Sequence, residues 1–232
     1  MDDLEARVAS IGALAEPTRL ALYRYVAGAT APVSREQAAA AVDLPLHSAK
    51  FHLDRLVAEG LLEVEHRRLT GRTGPGAGRP SKLYRRTARH VSVSLPERRY
   101  DLAGEVLATA VEQSARDGIP IVEAVQQVAR AAGSDIAGER APSRPSRTAA
   151  GTAGLVEVLA DHGYEPRHVG DDVCLTNCPF DRLAAVHTDL VCGMNLALID
   201  GVIDGLRLES VSARLEPEAG FCCVKVGRKP GP

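Results

Sequence analysis

The sequence predicts an α+β chain assembled from successive parts, and three observations carry that expectation. Over the first 60 residues, apolar side chains recur at helical spacing between start and stop signals, and two short strand-like runs follow. A pair of longer amphipathic helices comes next, at about 97–116 and 121–132. Beyond a polar, proline-containing stretch at 139–147, helix and strand patterns mix, and all five cysteines of the chain lie after residue 173.

Residues 4–14 form a short amphipathic helix candidate. Glu16-Pro17-Thr18 opens a second helix, with Pro near its first turn, where no backbone donor is lost. Leu20, Tyr23 and Val26 recur on one face of it, and Gly28 ends it. Ser34 and Gln37 have the spacing of a capping box for a helix over 35–42, which Asp43-Leu44-Pro45 breaks. A fourth helix spans 46–58, with Ala49, Leu53, Leu56 and Val57 as its apolar stripe and Gly60 as its stop. Strands then start at Leu61 and at Lys82, joined by a glycine-rich connection over 71–78.

In the two longer helices, Tyr100, Ala103, Val106, Leu107, Ala110 and Val111 make the clearest stripe. After the linker come a helix at 154–162 and strands near 165–169 and 172–176. Helical segments at 180–186 and 190–206 follow, then a hairpin of 208–215 with 221–226. The expected domains are therefore 1–90, a helical dimerisation region 91–138, a linker 139–150 and a small cysteine-containing sensor domain 151–232.

The composition is that of an ordinary globular protein, 45% hydrophobic and 25% charged, with a net charge of −2. No apolar run approaches the length of a membrane span, and the acidic start MDDLEARVAS does not read as a secretory signal. A cytoplasmic location is the expectation. Charge is unevenly spread: Met1 to His90 holds 14 Lys and Arg against 10 Asp and Glu, and the remainder 14 against 20. The basic excess points the first part toward a polyanion.

The order helix, short turn, helix, strand, loop, strand from Ser34 to Thr87 is that of a winged helix-turn-helix, whose second helix enters the DNA major groove. With Leu53, Leu56 and Val57 turned to the core, His47, Ser48, Lys50, Phe51 and Arg55 point outward as candidate DNA contacts. Arg72, Arg79 and Lys82 on the connection would form a basic wing. The segments Leu14-Ala-Glu-Pro-Thr-Arg-Leu20, Ser34-Arg-Glu-Gln-Ala, His52-Leu-Asp-Arg-Leu-Val-Ala-Glu-Gly-Leu-Leu62 and Gly78-Arg-Pro-Ser-Lys-Leu-Tyr84 together resemble the ArsR-type winged-helix domain. A single winged helix gives a small footprint, so a homodimer on an inverted-repeat operator is expected, joined through the apolar stripe after the wing.

Cys174 and Cys178 are separated by three residues, Cys192 follows after thirteen more, and Cys222 after a further twenty-nine, with Cys223 adjacent. Clustered cysteines in a cytosolic context point to metal or redox chemistry, and four thiolates suit zinc or an iron–sulfur cluster. Cys174, Cys178, Cys192 and Cys222 are the candidate ligands. Cys222 shares the buried face of its strand with Val224 and Val226, and Cys223 faces the other way. His187 lies between the middle cysteines as a further candidate, and Cys178 with His187 is the one pairing that suggests an enzyme. No nucleophile or oxyanion motif accompanies that pairing, so no enzymatic activity is expected.

The run Asn177-Cys-Pro-Phe-Asp-Arg-Leu-Ala-Ala-Val-His-Thr-Asp-Leu-Val-Cys-Gly-Met-Asn195 is similar to the C-terminal domain of SufR-type regulators. That resemblance implies a [4Fe–4S] cluster whose status controls DNA binding, most simply in a repressor of iron–sulfur assembly or redox-response genes. It matches three ligands to Cys178, Cys192 and Cys222 and leaves the fourth open among Cys174, Cys223 and His187. The alternative is a zinc-stabilised or ligand- or thiol-sensing regulator without a cluster.

Overall fold

In a computed structural model that describes residues 3–67, 80–138 and 151–229, the chain forms two units, Met1–Val93 and Ser94–Pro232. The first unit opens with α1 (Asp3–Ala13) and α2 (Pro17–Gly28). Glu16 caps α2 by accepting from the backbone N–H groups of Thr18 and Arg19, at 2.9 and 2.8 Å. Ser34 ends β1 (Val33–Ser34) and starts α3 (Arg35–Ala41). Its hydroxyl accepts from the Gln37 N–H at 3.2 Å, and its own N–H donates to the Gln37 side chain at 2.8 Å. The capping box expected from the sequence is therefore present.

After Asp43-Leu-Pro45, α4 (Leu46–Ala58) runs until Gly60, whose φ of 70° suits glycine. Antiparallel β2 (Leu62–Arg67) and β3 (Ser81–Arg86) follow, with Leu62 opposite Arg86 and Arg67 opposite Ser81. The three strands lie in the order β1-β3-β2. Ala49, Leu53 and Leu56 are the buried face of α4. Leu53 and Leu56 pack with Leu22, Val26, Leu62 and Tyr84 in one core, each leucine side chain contributing on the order of 2 kcal/mol by leaving water. On α2 the buried pair is Leu22 and Val26, four residues apart, while Leu20 and Tyr23 are half-buried.

The second unit contains α5 (Tyr100–Asp117), α6 (Ile121–Gly138), α7 (Gly151–Asp161), α8 (Asp181–Val186) and α9 (Thr188–Gly205). Its sheet is antiparallel, in the order β4-β5-β7-β6: β4 (Pro166–Val169), β5 (Asp172–Leu175), β6 (Val211–Leu215) and β7 (Val224–Arg228). Here the structure departs from the expected division. Ala103, Val106 and Ala110 of α5 and Ala124, Val125 and Ala129 of α6 lie in the same core as Leu155, Leu198, Val224 and Val226. Ala103, Val106 and Ala110 of the stripe are thus covered within this unit, while Tyr100 and Val111 stay exposed, and α5 and α6 fall in the same compact unit as the cysteines.

Helix α6 also continues past 132, because its glycine is a packing position. A Cβ at Gly133 would fall on the Leu198 carbonyl oxygen, and one at Gly201 on the Arg130 carbonyl oxygen. One at Gly205 would lie 2.8 Å from both the Ser134 oxygen and the Ala137 methyl. Glycine costs about 1 kcal/mol in a helix, which close backbone packing of α6 on α9 outweighs. Among the described residues no helix is long and apolar enough to cross a membrane.

Candidate functional site

Among the described residues, two places answer to the candidate residues of the sequence. The first is the outer face of α4. Because Ala49, Leu53 and Leu56 are buried, the residues between them are turned out: His47, Lys50, Phe51 and Arg55 are exposed and Ser48 is half-buried. Phe51 is 65% exposed, an aromatic ring left in water. Arg55 is paired with Glu59 one turn on, at 2.5 Å. Lys82 projects from β3 and places its ammonium 2.5 Å from Asp54 of α4 and 5.1 Å above the Tyr84 ring. Burial works against the Lys82 charge, but the Asp54 carboxylate and Tyr84 hold it above its usual range. Lys82 thus ties the strand to the helix. Arg35, Glu36, Lys50, Ser81, Lys82 and Tyr84 line an open pocket of about 240 Å³ beside this face. Arg72 and Arg79, the other two wing residues, lie outside the described residues.

The second place is the thiol site of the second unit. Cys178 lies in the loop before α8, and hydrogen bonds fix that loop. The Asn177 amide donates to the Gly163 carbonyl at 2.5 Å and the Glu97 carbonyl at 3.1 Å. Arg98 donates to the Asn177 side chain and, at 3.1 Å, to the Cys178 carbonyl. Cys192 lies in the second turn of α9, and Cys222 and Cys223 immediately precede β7. The thiols of Cys178 and Cys222 are neighbours and act on each other's protonation, and so do those of Cys192 and Cys223.

The Cys222 sulfur accepts from the Asn195 amide at 3.3 Å. The neighbouring Cys178 thiol, with the nearby N–H groups of Val224, Asn195 and Cys223, outweighs burial and holds the Cys222 thiol at about 7. The partner thiols move the other way. Cys178 is pushed up by Cys222 and by burial, and Cys192 is pushed up to about 12 by burial and by Cys223. The neighbouring Cys178 thus favours one thiolate, at Cys222.

The structure does not place all the expected ligands together. Val173 pairs with Val226 across β5 and β7, which puts Cys174 beside Lys225. Alternation then turns both away from the face bearing Val173, Leu175 and Val224. Burial pushes the Cys174 thiol up, and the charges acting on it are those of Lys225, Asp172, Glu218 and Glu216. Cys174 is therefore on the other face of the sheet from the thiol pairs. Cys223, expected to turn away, instead meets Cys192: β7 begins only at Val224, so period two does not govern the two cysteines before it. His187 is exposed at the junction of α8 and α9, and no hydrogen bond joins it to Cys178 among the described residues. Among the described residues, no group of three or more His, Cys, Asp or Glu side chains closes around a single-ion position.

Tyr164 and Asn195 did not emerge from the sequence as site residues. Asn195 is 1% exposed, and its side-chain oxygen accepts from the Tyr164 hydroxyl at 2.5 Å. An amide inside the apolar run Val191-Cys-Gly-Met-Asn-Leu-Ala-Leu-Ile199 was the available signal, since a buried amide needs partners.

Residues 14–65, from the end of α1 through α4 into β2, match the family model of a helix-turn-helix domain. With the β2–β3 hairpin behind it, this segment has the order of parts of a winged helix-turn-helix, a fold that binds DNA. No curated protein and no solved structure matches the chain.

Proposed function

We propose that this chain is a transcriptional regulator that reads duplex DNA with α4, and whose operator binding is governed by an iron–sulfur cluster in the second unit. The observation that carries the DNA reading is the exposed face His47, Lys50, Phe51 and Arg55 on the second helix of a helix-turn-helix domain. Lys50 and Arg55 suit guanine N7 and O6 or phosphate, His47 and Ser48 suit either, and Phe51 suits a thymine methyl. Arg72, Arg79 and Lys82 would follow the backbone from the wing.

The cluster reading rests on the grouping of thiols. Cys178, Cys192 and Cys222 come from a loop, a helix and the entrance to a strand, and Cys223 supplies a fourth thiol in the same place. Four thiolates suit zinc or an iron–sulfur cluster, and the cluster is the reading proposed. A [4Fe–4S] cluster would supply a group that oxygen or iron limitation removes, and the residues that hold it would lose a shared anchor when it leaves. The expected output is repression of iron–sulfur assembly or redox-response genes. A metal-free thiol sensor is the second reading, favoured by the direct Cys178–Cys222 contact.

The regulator is proposed to act as a homodimer on an inverted repeat, with half-sites about 10 base pairs or a multiple apart. Since α5 and α6 fill much of their own core, the exposed large apolar side chains left on them are Tyr100, Val111, Ile121 and Val122. Light scattering on the wild type and on Ile121→Asp/Val122→Asp tests whether they join two copies.

The deciding experiment is anaerobic purification with iron and sulfide analysis, followed by operator binding by the holo and metal-free forms. Brown protein with bound iron and sulfide, lost in the Cys178→Ser/Cys192→Ser/Cys222→Ser variant together with a change in DNA affinity, supports the reading. Normal iron and sulfide in that variant overturns the ligand assignment. Loss of the cluster with unchanged DNA affinity leaves it structural and overturns the sensing role.

A further inference from the structure

We infer that Asn195, held in one orientation by Tyr164, is the positioning residue that directs and polarises Cys222, the sulfur through which the second unit grips its cluster. This rests on the cluster reading above. Asn195 lies three residues after Cys192 on α9, so the two share a helix face. Both amide atoms of Asn195 are engaged inside the protein. Its oxygen takes the Tyr164 hydroxyl at 2.5 Å, which leaves its N–H₂ group aimed at the Cys222 sulfur at 3.3 Å. Tyr164 is itself 4% exposed. Water therefore does not replace either bond easily, and a buried amide left without a partner costs more than the bond itself contributes.

The arrangement singles out one sulfur. Cys178 and Cys192 have thiol partners, whereas among the described residues only the Cys222 sulfur receives a side-chain amide. An N–H group donated to sulfur draws electron density from it. In metal-free protein the same bond fixes the direction of the Cys222 sulfur. In a cluster, hydrogen bonds to ligand sulfur raise the reduction potential, because they offset the charge of the reduced state. The hydroxyl of Tyr164 acts one step further out. Without it the amide is free to rotate, and the donor is directed at sulfur only part of the time.

The test uses the full chain and three variants: Tyr164→Phe, Asn195→Leu, and the double variant, which removes both polar partners at once and so leaves no orphan hydroxyl. Each is reconstituted anaerobically with iron and sulfide, and the midpoint potential of the cluster is titrated. Each metal-free form is then treated with iodoacetamide at pH 7, and Cys222 alkylation is followed by peptide mass spectrometry.

The expected result is wild-type iron and sulfide content, with a potential lowered in every variant and least in Tyr164→Phe. Alkylation of Cys222 should slow about tenfold in the double variant, the effect of one hydrogen bond to a charged acceptor. An unchanged potential together with an unchanged alkylation rate overturns the inference. If Asn195→Leu alone does not fold, the double variant and Tyr164→Phe decide. If the wild type takes up no iron and sulfide, the cluster reading fails, and the alkylation rates alone decide whether Asn195 acts on Cys222.

Discussion

The two units place their chemistry in opposite locations. In the first, Leu22, Leu53, Leu56, Leu62 and Tyr84 make a conventional core, and the residues proposed to function stand in water on the far side of α4. In the second, the thiols, Asn195 and Tyr164 belong to the interior, on or against a helix with nine buried residues. Surface chemistry can be altered without touching the fold. Interior chemistry cannot, because each polar group there is also a packing group whose partners must be supplied. Substitutions on the outer face of α4 should therefore leave the fold intact, whereas those at Asn195 or Tyr164 should lower its stability.

The largest expected effect tests the interior half of this contrast. Gly201→Ala would drive a methyl into the Arg130 carbonyl, and a backbone atom cannot swing aside. We expect it to destabilise the second unit by more than about 3 kcal/mol, beyond ordinary overpacking. Urea unfolding followed by site-specific probes in each unit checks this. The first unit should keep its midpoint; equal loss in both units would break the comparison.

Next come the surface residues. Lys50→Ala should weaken binding to the preferred operator by roughly 1–3 kcal/mol and relax base preference, while stability stays within about 0.5 kcal/mol. Titrations of preferred and scrambled duplexes, with thermal melts alongside, separate the two quantities. Unchanged affinity for both duplexes would mean that α4 is not the reading helix. Arg79→Ala should act differently, weakening all sequences alike and making the salt slope shallower by about 0.9 per lost phosphate contact.

The smallest effect sharpens the contrast within the first unit. Burial works against the Glu16 charge, but the N–H groups of Thr18 and Arg19 hold its carboxyl at about 2, below its ordinary 4.5. A depressed carboxyl contributes stability that is present above 4.5 and lost as pH falls toward 2. Glu16→Ala should cost about 1 kcal/mol at neutral pH, the usual worth of a helix cap. Below about pH 2 the variant and wild type should converge. A cost that does not change across that window would show that Glu16 acts by packing rather than by charge.

Local signals are legible in the sequence, and long-range ones are not. The capping box at Ser34 and Gln37 and the bounds of α4 follow from side chains a few residues apart, and the structure has both. The buried partner of Val26 was less legible: Leu20 and Leu22 differ by a rotation that only the surrounding helices settle. The two-residue β1 was hidden because Ser34 serves both as strand residue and as cap. At the thiol site, Cys178, Cys192 and Cys222 were legible as a group. That Cys174 falls on the other face of the sheet, and Cys223 beside Cys192, is not legible there, because it depends on pairing Val173 with Val226 and on β7 beginning at Val224. Neither register can be read from cysteine spacing. Gly133 looked like the end of a helix for the same reason, since its neighbour Leu198 is 65 positions away in the chain.

The glycine contacts between α6 and α9 also have a mechanical meaning. Gly193 and Gly205 are twelve residues apart on α9, about 18 Å along its axis. The helix meets α6 near both ends, through Gln126 at one and Ser134 and Ala137 at the other. From Gly201 to Gly205 the backbones meet almost directly, so the pair resists parting there, whereas at the Gly193 end the contact is the Gln126 side chain. Cys192 sits at the Gly193 end of α9. A pull on that sulfur therefore acts on the end of the helix that is held less tightly.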